Sequence, residues 1–318
     1  MTLVHPESLP VVRIGEIVHE ENTRRWLIDP LWGASSVGVI GGAPKCSKTW
    51  LALDMALSVA TGTACRDKFA VPEAGPVLVY LAEDSLLVVR ERVEGMARHR
   101  GLDFGAIPMH VITTPVPRLD RGPHRAQLLQ TARRIRPRLL LLDPLVRLHG
   151  IDENNAGEVA GLLAYFRSLQ RDLDLSVALV HHARKIGTRG VAAGRGLRGS
   201  SDIHAFGDSN LYLKRASEQL TLTMEHRAAA APAPVTLELI TTDPETTHLA
   251  VTAELRDEPG RSLQERVMEL LTQADGVLTR MRIRDTLAVK NERLGVVLEA
   301  LEQAGRIRRT ATGWQRAT

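Results

Sequence analysis

Short apolar runs recur along the first two thirds of the chain, each followed by a longer segment in which apolar residues return at helical spacing. The runs are Ser36 to Ile40, Pro76 to Leu81, Arg138 to Leu145 and Leu175 to Val180, with a shorter one at His110 to Thr113. Apolar character without alternation is what a strand buried on both faces requires. The segments between predict helices over Thr49 to Ala60, stopping near Thr61-Gly62, and over Ser85 to Arg100, Arg121 to Arg134 and Ala156 to Arg171. Strands alternating with helices predict an α/β fold, a mainly parallel sheet wrapped on both faces. Arg25 to Gly33 reads as a packed lead-in to the first central strand.

Beyond Asn210 the rhythm changes to short strands at Asn210 to Lys214, Leu220 to Glu225, Val235 to Ile240 and Leu249 to Glu254, expected to extend the sheet antiparallel at its edge. The polar run Arg256 to Arg261, with Pro259-Gly260, reads as a linker. It divides a large domain, residues 1–255, from a small one, residues 262–318. The small domain predicts helices at Ser262 to Gln273, Arg280 to Leu287 and Lys290 to Ala304, then two short strands within Arg306 to Trp314. Three helices followed by a basic hairpin is the outline of a winged helix, whose third helix can enter a DNA major groove while the hairpin touches the backbone.

At 318 residues with 44% hydrophobic content there is ample material for a core, but aromatic residues make up only 3%, so ring stacking is not expected to dominate binding. No apolar stretch reaches the roughly 18 to 20 residues needed to span a bilayer. Met1 to Pro10 lacks the order of a secretion signal, so a soluble, cytoplasmic protein without membrane contact is expected. Cys46 and Cys65 are too few for a disulfide framework or a metal cluster and read as free thiols. Net charge is +4, and Arg261 to Thr318 alone holds eleven Lys and Arg against seven Asp and Glu. That C-terminal segment thus carries the whole excess, which points to nucleic acid.

The first buried strand breaks into Gly41-Gly42-Ala43-Pro44-Lys45-Cys46-Ser47-Lys48-Thr49-Trp50, and a helix begins there. A helix N-terminus offers free N–H groups and partial positive charge, so a polyphosphate is its natural ligand. The pattern GxxxxGK[ST] is met from Gly42 to Thr49 except that Ser47 stands where the second glycine should be, a side chain small enough to permit close approach. Lys48 would reach the β and γ phosphates of ATP, and Thr49 would hold Mg²⁺.

Hydrolysis also needs a second metal-associated acid, a group to orient water, and positive charge for the transition state. Asp143, closing four leucines, suits the first. Glu83 or Asp84, ending the neighbouring strand, could polarise the water; Glu83 is preferred and Asp84 reads as a helix cap. One of His181 and His182 must face the site, as a detector of the γ-phosphate. Ala183 to Ser201 holds Arg184, Lys185, Arg189, Arg195 and Arg198 among five glycines, a cationic segment suited to a nucleic-acid backbone. Arg198 is the candidate arginine finger toward a neighbouring subunit, with Arg195 in reserve.

These motifs (Gly42 to Thr49, Tyr80 to Asp84, Leu139 to Asp143, Val180 to Ala183 and Arg198 to Ser201) resemble the RecA-like P-loop ATPases of the RepA hexameric helicase kind, over about Leu27 to Lys214. The resemblance implies a RecA-like core, a homo-oligomeric ring with nucleotide between subunits, and translocation along single-stranded DNA. It gives Glu83 the catalytic acid's role, Asp143 the Walker B acid's, His182 or its neighbour the sensor's, and Arg198 the finger's. The same core also serves non-helicase proteins of mobile elements, so the alternative readings are a nucleotide-switched DNA-binding regulator and a partner-loading or defence ATPase without helicase activity.

Overall fold

The computed structural model describes residues 11–16, 25–182, 201–216, 219–243, 246–254 and 263–317, the last without positions 275, 288, 290 and 311. The linker expected at 256–261 lies outside them. The chain divides into two compact units, Met1–Glu254 and Leu255–Thr318.

In the first unit the apolar runs become parallel strands: β3 (Val37–Gly42), β4 (Val77–Leu81), β5 (Met109–Val111), β6 (Leu139–Asp143) and β7 (Ser176–His182). Between them lie α1 (Lys48–Thr61), α2 (Leu86–His99), α3 (Gly122–Ile135) and α4 (Ala156–Leu173). The lead-in at Arg25 to Gly33 is a small antiparallel ribbon of β1 (Trp26–Ile28) and β2 (Trp32–Gly33).

The C-terminal strands β8 (Ser209–Ala216), β9 (Gln219–His226), β10 (Val235–Asp243) and β11 (Thr246–Glu254) complete a nine-stranded sheet ordered β11-β10-β9-β8-β3-β7-β6-β4-β5. Here the sequence expectation needs correction. β8 runs parallel to β3, and only β9 to β11 are antiparallel. A helix that the apolar pattern did not reveal, α5 (Ser201–Phe206), packs over β3 and α4 and returns the chain to the sheet's starting edge. A crossover of that kind yields a parallel partner, whereas the tight turns that follow yield antiparallel ones.

Strand residues alternate between two cores. Ile40, Val79, Leu139, Leu141, Ala178 and Val180 pack on the α1 side, while Val39, Tyr80, Leu140, Leu142, Val177 and Leu179 pack beneath α3 and α4. α1 is buried along almost its whole length, and α2 covers it through Leu53, Leu57, Val93 and Met96. Within α1, Asp54 is a buried exception that binds Arg66 (3.4 Å) and Arg100 and accepts from Cys65 Sγ (3.1 Å). Both cysteines are free and buried.

The second unit holds α6 (Leu263–Gln273), α7 (Arg280–Leu287) and α8 (Asn291–Gln303) around Val267, Ile283, Leu294, Leu298 and Trp314. Its hairpin, β12 (Ile307–Arg309) with β13 (Trp314–Arg316), pairs Arg309 with Trp314. Leu278 bridges Trp314 on the other side, placing the start of α7 beside the hairpin.

Candidate functional site

The parallel strands β3, β4, β6 and β7 end on one edge, in register: Gly42 lies opposite His182, and Leu81 opposite Asp143. Backbone leaving these ends must turn over the sheet, and the turns enclose a cavity of about 300 Å³. It is lined by the loop from Lys45 to Trp50 together with Leu81, Glu83, Asp84, Arg92, Asp143 and His182.

The loop is held tight at both ends. A Cβ on Gly42 would come within 2.5 Å of the Leu213 carbonyl oxygen and 2.6 Å of Cys46 Sγ, so only glycine fits between β3 and β8 there. Lys45 and Ser47 both have left-handed backbones, with φ of 61° and 63°. The second glycine of the pattern has its physical reason in that geometry, and serine occupies it at a cost of about 1 kcal/mol. Ser47 gives α1 no side-chain cap, whereas α2 is capped by Ser85 and α4 by Asn155. The first amides of α1 therefore face the cavity's loop without a competing oxygen from the cap residue.

Lys48 is buried and donates from Nζ to the Ala43 carbonyl (2.8 Å), folding its cation back over the loop. Thr49 donates from Oγ1 to Asp143 Oδ2 (2.7 Å). Burial raises Asp143 to a pKa of about 6; the Thr49 hydrogen bond and the Lys48 charge oppose this, while Asp84 and Glu83 add to it. Burial likewise raises the Cys46 thiol, against the pull of Lys48 and Arg215.

Glu83 is exposed at the cavity's rim and accepts from Arg147 Nε (3.2 Å). Asp84 does not cap α2; Ser85 Oγ accepts from the Val88 amide in that role, and Asp84 pairs with Arg92 (2.6 Å). The guanidinium of Arg92 also stands over the Trp50 ring, 5.2 Å from its centre. Of the two histidines, His182 lines the cavity. His181 is buried on the α3 and α4 side, its Nδ1 3.9 Å from Glu153 Oε1, and the same oxygen lies 3.5 Å from His149 Nε2. Strand alternation decides this: 178 and 180 face α1, so 182 does too.

Arg198, Arg195 and the cationic segment lie outside the described residues. Three cations at the site were not singled out from sequence. Arg92 sits on the face of α2 two turns beyond Asp84, and Arg147 lies four residues past Asp143. Arg215 reaches Ser47 Oγ at 3.5 Å from the strand beside the loop. None carried a local signal: Arg92 stands eight positions from Asp84, and the other two meet their partners across 64 and 168.

An oxygen pair from a hydroxyl and a carboxylate, a buried ammonium group and uncapped helix amides make a donor set that fits a nucleoside triphosphate with Mg²⁺. Among the described residues no cluster of three or more His, Cys, Asp or Glu could hold a metal. Mg²⁺ suits the pair found here because it takes one or two protein oxygens and completes its shell with phosphates and water.

A protein-family model described as an AAA domain matches residues 4–188, more than half of the chain. A solved DnaB-like replicative helicase, described with its interactions with primase, is 14% identical and aligns with a TM-score of 0.51 over 68% of this chain and 59% of its own. A RadB recombinase structure is 16% identical, with a TM-score of 0.48 over 65% of this chain and 88% of its own. The fold is a RecA-like P-loop core, and no helix among the described residues is long and apolar enough to cross a membrane.

Proposed function

The chain belongs to the AAA-domain family, and we propose that it is an ATP-hydrolysing, DNA-associated motor of the RepA-like replicative helicase type, working in the cytoplasm on a plasmid, phage or mobile element. One observation carries the reading: Lys48, the Thr49–Asp143 pair, Glu83 and His182, drawn from four separate strand ends, line or flank a single cavity at the carboxyl edge of the sheet.

In this reading the segment from Gly42 to Trp50 wraps the phosphates of ATP, and Lys48 exchanges its bond to Ala43 for phosphate oxygens. Thr49 and Asp143 hold Mg²⁺, which when bound supplies positive charge against the developing negative charge of the phosphoryl group. Glu83, oriented by Arg147, accepts the proton of the attacking water. His182 senses the γ-phosphate. Arg198 serves as the finger in a hexameric ring that moves on single-stranded DNA, the charge-stabilising role such arginines have in phosphoryl transfer.

ATP turnover measured with and without single-stranded DNA tests the proposal. Single strands should stimulate turnover, and Lys48→Ala should abolish it with the fold intact by circular dichroism. Turnover indifferent to every DNA tried would overturn the motor.

A further inference from the structure

Among the described side chains of the second unit, the exposed charges are sorted by element. Among side chains described there, the exposed acids are Glu265 and Glu269 on α6 and Glu299 and Glu302 on α8. The exposed cations are Arg280 and Arg282 on α7 and Arg306, Arg308, Arg309 and Arg316 on or beside the hairpin. α6 packs against α8, both helices also touch the hairpin, and the Leu278–Trp314 bridge joins the start of α7 to it. Cations on flexible stems attract a polyanion, while carboxylates turned to the same ligand repel it.

Among its described side chains α8 buries Leu294, Leu298 and Leu301 and turns Glu299 and Glu302 to solvent, a poor surface to bring against phosphates. Its Gly295 serves α7 instead. A Cβ there would come within 2.5 Å of the Arg280 guanidinium, which rests against that turn of α8. Trp314 is the only aromatic residue from Leu255 to Thr318, and it is buried. Binding of single strands draws on exposed aromatic rings for the bases to stack on, and this unit offers none. What its described residues offer is exposed guanidinium groups, which pair with the phosphates of a duplex backbone.

We infer that the second unit grips the phosphate backbone of duplex DNA, independently of sequence, through α7 and the β12–β13 hairpin, with α8 turned away from the groove. This deepens the DNA-motor reading and rests on it, giving the protein a hold on duplex separate from the strand it moves along.

The test uses the full chain and a labelled duplex of arbitrary sequence, with affinity followed across salt concentration. Arg282→Ala and Arg308→Ala should each reduce the slope of log K against log salt by about 0.9 and weaken binding about eightfold at 0.1 M salt. Arg282→Lys should restore both. Glu299→Gln with Glu302→Gln should leave affinity unchanged, and tightened binding in that variant would show that α8 docks, overturning the inference. So would wild-type protein that binds anionic phosphatidylserine vesicles and ignores the duplex. ATP turnover without DNA, unaltered in all four variants, separates the two readings. Strand-stimulated turnover with no duplex binding overturns only this inference, and duplex binding with no turnover overturns only the motor.

Discussion

Asp143→Asn should make the nucleotide-free protein more stable while ending its ATPase activity. The carboxyl group is buried at the end of β6, and its pKa stands at about 6 against an ordinary 3.8, burial being the main cause. An acid whose folded-state pKa is raised contributes stability below its unfolded value, and that contribution is lost as pH rises through the folded value. The window therefore runs from about pH 4 to about pH 7. At pH 7.5 the ionised group costs the fold about 3 kcal/mol, and at pH 4.5 only about 1 kcal/mol. Asparagine keeps an oxygen to accept from Thr49 Oγ1 and never carries the charge. Urea unfolding in chelator, without nucleotide, should show the variant more stable than wild type by roughly 3 kcal/mol at pH 7.5, narrowing by about 2 kcal/mol at pH 4.5. A variant less stable than wild type at pH 7.5, or a gap that ignores pH, would refute the account of Asp143 as a charge stored for a cation.

Other substitutions probe the scaffold. Asp54→Ala strands the guanidinium groups of Arg66 and Arg100 inside the core and should cost about 3–5 kcal/mol by urea unfolding; a loss under about 1 kcal/mol would mean that water reaches them. Ser47→Gly should exceed Ser47→Ala in stability by about 1 kcal/mol, because both lose the contact to Arg215 but only alanine keeps a Cβ at positive φ; equal thermal midpoints would count against strain at this position. Gly42→Ala should destabilise by roughly 1–3 kcal/mol or more as its Cβ meets the Leu213 carbonyl, read as a lowered urea midpoint. His182→Asn should fold normally and lose ATP turnover, whereas a variant with unaltered turnover would remove His182 from the site's chemistry.

Much of this molecule is legible locally. Leu139 to Asp143 reads as a strand closing on an acid, and Lys48-Thr49 as the start of a helix behind a phosphate loop, because turn chemistry and apolar periodicity act over a few residues. The helices and hairpin of the second unit were readable for the same reason, from Leu263, Val267 and Leu271 on one face and from Gly305 ending α8. α5 was not, being too short to show a period. Asp54, inside an otherwise apolar helix, gave no sign of its partners.

By itself, then, the sequence determined the strands, the loop and the alternation that sends neighbouring histidines to opposite faces of β7. Only the tertiary structure decided which face α1 covers, and hence that His182, not His181, meets the cavity. It alone set Thr49 against Asp143 across 94 positions, Arg147 against Glu83 across 64, and Arg215 beside Ser47 across 168. The physical reason is range: dihedral preference and hydrophobic period are properties of neighbours along the chain, whereas these meetings depend on which strands lie side by side, a choice made by packing the whole sheet at once.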